Sequence, residues 1–363
     1  MINERNLLIW LNRLGGITYE MILDFTEHFG KLTELWHAKE AEIYEVLQNH
    51  RIIADKLLKT RNKQYLEKVL TETNSDAYKI VTILDSDYPE KLKSIYNPPY
   101  VIYIKGIADF NKPLIAIVGA RKSTPYGRWA AKKFARELTE WGVGVVSGLA
   151  LGIDAEGHKG ALEEKGYTIG VLGCGIDTFY PSSNYHLFKQ LEESGCIISE
   201  YGPGIEPLKH HFPARNRIIS GLSDGVVVIE AGEKSGTLIT VGFALEQGKD
   251  VYALPGNINN NQSKGTNKLI REGAKILLDT EDIIEELRYK YDLSNTKKEW
   301  EIQEMLSNDE MRVFDIIKRQ PTHIDVISYK TGIGISELST ILTILELKGL
   351  ISQLSGKTFT ADK

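Results

Sequence analysis

Between Pro113 and Asp279 the chain alternates short continuous apolar runs with helix-length amphipathic segments, and no other feature restricts the fold as strongly. The runs fall at residues 115–118, 143–146, 169–172, 197–199, 226–229, 251–254 and 276–278, with segments such as 126–141 and 236–248 between them. A strand that is apolar throughout must be covered on both faces, and strands joined through helices run parallel. The pattern predicts an α/β fold, an extended Rossmann-like doubly wound and mostly parallel sheet. Ligands of such sheets bind beyond the carboxyl ends of the strands, at helix N-termini. Several runs here end in glycine, as in Val118-Gly119-Ala120-Arg121, Val146-Ser147-Gly148 and Leu172-Gly173-Cys174-Gly175, which lets backbone approach a ligand closely.

A chain of 363 residues exceeds what one hydrophobic core usually serves, and the flanks have their own patterns. Residues 1–75 predict an N-terminal helical domain, with apolar positions Ile22, Phe25, Phe29, Leu32 and Leu35 and no strand-like alternation. Its turn Leu14-Gly15-Gly16-Ile17-Thr18 suits a SAM-like or helix-hairpin-helix module, with docking favoured over a DNA hairpin. Residues 76–112, with strand-like runs at 79–84 and 100–104 broken by Tyr88-Pro89 and Pro98-Pro99, predict an extended connector packed on the core domain at 113–280. Residues 281–302 predict an acidic linker. Residues 303–363 have the helix, helix, helix, hairpin order of a winged-helix-like domain. Its second-to-third helix turn is Gly332-Ile333-Gly334, and the helix after it carries Glu337 and Glu346 where phosphate contact would need bases. That favours a protein-contact or regulatory role for the tail.

The net charge of −5 argues against a polyanion partner only until its distribution is considered. Ten acids and four bases fall between Glu281 and Glu310, so the remainder of the chain sums to about +1. Two cysteines, Cys174 and Cys196, without CxxC or histidine spacing make no structural zinc site. No signal-peptide pattern and no run of about 18 apolar residues occurs, so a reducing, cytoplasmic protein without a membrane partner is expected. The nearest approach to a P-loop, Gly152-Ile153-Asp154-Ala155-Glu156-Gly157-His158-Lys159, has histidine in place of the phosphate lysine. No GxGxxG follows a strand, and neither HExxH nor GxSxG is present. No cofactor, metal or catalytic residue is expected. Asp154 and His158, four apart on one helix, are best explained as a cap and an exposed pair.

Positive signals gather at four turns. From Pro207 to Ser223 there is no acidic residue, while Lys209, Phe212, Arg215, Asn216 and Arg217 surround a helix start at Pro213. Cations at a helix N-terminus oppose its dipole, a placement that costs stability unless an anion joins them. Phe212 beside these bases suits either the core or the stacking of a base. The stretch Gly119-Ala120-Arg121-Lys122-Ser123-Thr124-Pro125 leads from strand to helix, so free amides and Arg121 there favour a phosphate. Ser235, Gly236 and Thr237 start another helix and suit either a phosphate cradle or ordinary capping. Gly148 occupies the turn after the second run.

In order, GARKSTPYGR, SGLALGIDAEGHKGAL, FPARNRIISGLS and SGTLIT resemble the bacterial DNA-processing DprA (Smf) family over at least residues 78–280. The resemblance implies a non-enzymatic, sequence-independent binder of single-stranded DNA. It implies homodimers that help load the RecA recombinase onto incoming strands in natural transformation. It also implies DNA contacts at Arg121, Lys209 and Phe212, and more weakly at Ser235, Gly236 and Thr237. Gly119, Lys122, Ser123, Gly148, Arg215, Asn216 and Arg217 join the candidates on charge and position. The alternative is a nucleotide-cleaving phosphoribohydrolase of the LOG type, whose PGGxGT loop would here read Glu233-Lys234-Ser235-Gly236-Thr237, without the proline and paired glycines.

Overall fold

The computed structural model describes residues 2–73, 76–293 and 305–361, which divide into two units at Leu293. The first unit opens with six helices: α1 (Glu4–Leu14), α2 (Tyr19–Phe29), α3 (Leu32–His37), α4 (Glu40–Val46), α5 (Arg51–Thr60) and α6 (Lys63–Thr73). Asn3 and Thr18 cap α1 and α2 through side-chain oxygens, and Gly15 and Gly16 make the sharp turn between them with φ of +69° and +82°. The expected helical module is present, but it has no separate core. Trp10, Phe25 and Leu35 pack in one cluster with Tyr100, Tyr103 and Ile197 of the sheet layer and with Phe188 of a helix laid on it.

That layer is a nine-stranded sheet built from β1 (Lys79–Thr82), β2 (Val101–Gly106), β3 (Leu114–Gly119), β4 (Gly144–Ser147), β5 (Thr168–Leu172), β6 (Cys196–Ser199), β7 (Gly225–Glu230), β8 (Asp250–Ala253) and β9 (Lys275–Ile276). Their spatial order is β1-β2-β6-β5-β4-β3-β7-β8-β9. From β6 to β9 neighbours pair in parallel, as the alternating runs predict, whereas β1 and β2 are antiparallel. The strand-like runs of the segment expected as a connector, 76–112, are thus β1 and β2, and they join the core sheet itself: Tyr103 pairs with Ser199 and Ile104 with Ile198. The prolines that break these runs, Pro89, Pro98 and Pro99, all fall between β1 and β2 and interrupt neither.

The helices of this region are α7 (Glu90–Lys93), α8 (Pro125–Glu140), α9 (Ile153–Glu163), α10 (Tyr185–Ser194), α11 (His211–Leu222), α12 (Thr237–Glu246), α13 (Lys264–Arg271) and α14 (Glu281–Leu287). Side chains along a strand point to alternate faces, so β3 serves both layers. Its Ile115 and Ile117 pack with Phe134 and Leu138 of α8, Ile153 of α9 and Ile284 of α14. Ala116 and Val118 face Ile218 and Leu222 of α11 and Val241 of α12. Helix α14 occupies the start of the segment expected as an acidic linker, because Ile283, Ile284 and Leu287 are buried while its acids point outward. The described chain continues to Leu293, with Tyr291 and Leu293 packed against the same core, and the remainder of that linker, at 294–302, lies outside the described residues. Both cysteines are buried and free, and burial pushes their thiols up to about 11 for Cys174 and about 12 for Cys196.

The second unit has helices Asn308–Arg319, Ile324–Thr331 and Ile335–Leu347, with strands β10 (Thr322–His323), β11 (Ile351–Leu354) and β12 (Thr358–Ala361) in the order β10-β12-β11. Val313, Ile327, Leu338 and Leu345 fill its core. This is the winged-helix arrangement expected from the sequence. Lys348, the base at the end of the third helix, is bound to Glu310 at 3.0 Å.

Candidate nucleic-acid interface

β4 and β7 lie on opposite sides of β3, so the sheet reverses its winding there, and a cleft of about 870 Å³ opens at the carboxyl ends of β3 and β7. Three segments form most of it: residues 118–122 at the end of β3, 207–216 around the start of α11, and 232–240 around the start of α12, with Asp154 and Tyr180 at its edges. The first is pressed onto α9. A methyl group on Gly152, whose φ is +79°, would lie 2.3 Å from the Ala120 carbonyl oxygen and 2.5 Å from that of Arg121. Thr124 caps α8, accepting the Gly127 N–H at 3.0 Å, with Pro125 in the first turn. At the end of β7 the buried Glu230 accepts the Thr124 N–H at 2.9 Å and the Thr124 hydroxyl at 2.5 Å. One carboxylate thus braces the two lips of the cleft against each other.

The charge of the cleft is strongly unbalanced. Arg121, Lys122, Lys209 and Lys234 border it with exposed side chains, Arg215 lies beneath, and the carboxylate at its edge, Asp154, is itself buried. Among these bases the half-buried Phe212 presents its ring, with the Arg121 guanidinium 5.5 Å from the ring centroid and the Tyr180 ring 5.5 Å away at 38°. Across the cleft, Ser235 Oγ accepts the Thr237 N–H at 3.2 Å and pairs with the Thr237 hydroxyl at 2.9 Å, a local side-chain turn just before α12, whose N-cap is Gly236. Gly236 between them borders open space.

Ten of the candidates, Gly119, Arg121, Lys122, Lys209, Phe212, Arg215, Asn216, Ser235, Gly236 and Thr237, line this one cleft. Three candidates do not. The Ser123 hydroxyl is buried without a partner. Gly148 is buried, and a methyl there would meet Arg215 Nη2 at 2.6 Å and Asp154 Oδ2 at 2.7 Å, so its lack of a side chain makes room for that pair. Arg217 turns away from the cleft to bind Glu200 at 2.6 Å. Arg215 borders the cleft but is only 4% exposed, donating from Nη1 to the Gly148 carbonyl at 2.8 Å and to the Val171 carbonyl. The clash between these cations and the dipole of α11 is therefore met by two carbonyls and Glu200, and signals no missing anion.

Burial also decides Asp154 and His158, which the sequence suggested as an exposed pair. Both face the sheet, because α9 is sandwiched between β3, β4 and α8. His158 bonds Thr168 Oγ1 at 2.6 Å, and burial pushes its pKa down to about 3, keeping the ring neutral. Desolvation raises the Asp154 carboxyl and the nearby Arg215 opposes that rise, while Oδ2 accepts the Gly148 N–H at 3.1 Å. Two cleft residues escape the sequence reading. Lys234 was legible as a charge beside Ser235, but Tyr180 sits between β5 and α10 with no spacing that ties it to Phe212.

Residues 79–288 match the family model described as DNA recombination-mediator protein A, and residues 301–357 match the DprA winged helix domain. Protein Smf of Synechocystis is 32% identical over 97% of both chains. DNA processing protein DprA of Streptococcus pneumoniae is 45% identical over 57% of this chain and 74% of its own. The X-ray structure of the Streptococcus pneumoniae DprA superposes with a TM-score of 0.68 at 35% identity, covering 80% of this chain and 99% of that one. A Helicobacter pylori DNA processing protein A structure, reported for its single-stranded DNA binding mode, gives 0.54 at 32% identity, covering 59% of this chain and 98% of that one.

Proposed function

This chain belongs to the DNA recombination-mediator protein A family, and on that premise we propose that it binds single-stranded DNA without sequence preference and helps load RecA onto strands in natural transformation and recombination. The cleft at the reversal of the sheet carries the reading. Four exposed bases border a half-buried aromatic ring, with no exposed carboxylate among the lining residues. Arg121, Lys122, Lys209 and Lys234 engage phosphates, as charged donors and with the helix starts of α8 and α12 behind them. Phe212, with Tyr180 beside it, takes the face of an unstacked base, a contact open to any base because each has a π-face. Phosphate and stacking contacts without edge recognition leave sequence unread.

The protein works as a binder rather than an enzyme. Asp154, the carboxylate at the cleft, is committed to Gly148 and lies near Arg215, and His158 is neutral and walled off. It acts as a homodimer in the cytoplasm, and no helix among the described residues is long and apolar enough to cross a membrane. Fluorescence anisotropy with labelled oligodeoxythymidylate at moderate salt tests the reading: saturable binding, outcompeted by single strands and not by blunt duplex, is expected. Failure to bind would defeat it, and release of free base from nucleoside monophosphates would favour the phosphoribohydrolase instead.

A further inference from the structure

On the other side of the α11 start lies a second hollow of about 290 Å³, where the turn between α1 and α2 meets residues 97–101 and the end of β6. Its walls are apolar and aromatic, with Ile17, Tyr19, Tyr100 and Tyr201 among them. At its base Arg217 binds Glu200 through Nη2, but Arg217 is only 7% exposed and its Nη1 is buried with no hydrogen-bond partner. A buried guanidinium nitrogen without an acceptor is costly, which suits a site completed by a ligand.

The chemistry of that ligand follows from the lining. Arg217 and Glu200 are the charged residues that line the hollow, and they cancel; burial lowers the pKa of His211, which favours its neutral ring. A phosphate or carboxylate would meet Glu200, and a cation would meet Arg217. A neutral, flat group that both accepts and donates hydrogen bonds fits the guanidinium, the carboxylate and the tyrosine walls together. The volume is at the lower edge of small-molecule sites, a scale suited to one nucleobase. Access follows from the same turn: Leu208 and His211 line this hollow, while Lys209 and Phe212 line the cleft.

We propose that this hollow is a second base pocket, which receives one unstacked nucleobase from a strand whose backbone crosses the cleft. The inference rests on the single-strand reading of the cleft and deepens it, adding a subsite around Arg217 and Glu200. Two full-length variants plug the hollow from different positions, Ile205→Trp at its wall and Leu208→Trp at its half-exposed rim, with thermal melting to confirm folding. Affinity is then measured by anisotropy over oligodeoxythymidylates of increasing length. Short strands should bind wild type and both variants alike, whereas on longer strands the variants should saturate earlier and bind roughly tenfold more weakly. Superimposable curves at all lengths would overturn the second pocket, and so would a loss by one constant factor at every length, which would mean damage to the cleft. Absence of binding by the wild type at any length would defeat the single-strand reading itself, and the pocket with it.

Discussion

Replacing Arg121 and Lys209 together by alanine separates an electrostatic cleft from one that merely happens to be basic. If Arg121, Lys122, Lys209 and Lys234 each neutralise one phosphate of a single strand, the logarithm of affinity falls with the logarithm of salt with a slope of about −2.8. Raising salt from about 50 to about 200 mM then weakens wild-type binding about 50-fold. With two contacts removed the slope becomes about −1.4, and the same change in salt weakens binding only about sevenfold. Folding should survive, because both side chains are exposed and the contact given up, Arg121 over Phe212 at 5.5 Å, is worth about 0.5–1 kcal/mol at an exposed site. Anisotropy titrations of a labelled oligonucleotide at four or more salt concentrations give both slopes. Parallel lines for wild type and variant, whatever their offset, would refute the assignment of these two side chains to phosphates.

Phe212→Ala should cost about 1–3 kcal/mol of binding for the base it stacks and leave the salt slope unchanged, so a shallower slope in the same titration would show the ring acting through Arg121. Arg215→Leu should instead destabilise the fold by about 3–5 kcal/mol in urea unfolding, since it strips the Gly148 and Val171 carbonyls of a buried donor and leaves Asp154 without its nearby cation; unfolding unchanged from wild type would contradict that role. His158 sets a pH dependence: its pKa is about 3 in the folded protein against 6.5 in the unfolded chain, so between these values the unfolded chain binds the extra proton. Its contribution to stability is complete above about pH 6.5 and is lost as pH falls toward 3, with a slope of up to ~1.4 kcal/mol per pH unit. Urea unfolding at pH 7, 6 and 5 should show a shallower decline for His158→Gln, and identical declines would place the histidine outside this linkage.

The parallel core was legible because continuous apolar runs have one economical solution, and each of the seven runs corresponds to one of the strands β3 to β9. The antiparallel extension is harder to see: strand-like runs mark β1 and β2, but β2 reaches its partner β6 across a sequence gap of about ninety residues that no local pattern encodes, and β1 joins the sheet only through β2. In the cleft, which residues gather there is legible in the sequence, and where their side chains point is not. Spacing put Arg215 and Arg217 on the first turns of α11, but only the packing of that helix on the sheet decides that one guanidinium goes under the floor and the other toward Glu200. The acids of α14 suggested a linker because charge dominates its composition, whereas three buried apolar side chains decide its place.

The continuity between the first six helices and the sheet bears on how fragments of this protein behave. A recombinant piece beginning at residue 76 would contain every strand of the nine-stranded sheet, yet it would bare Tyr100, Tyr103 and Ile197 where Trp10, Phe25 and Leu35 now cover them. Exposed apolar surface of that kind promotes self-association. The amino-terminal helices are thus a lid on the sheet's own interior, and activity lost on trimming them away would report an injured scaffold before it reported a missing function.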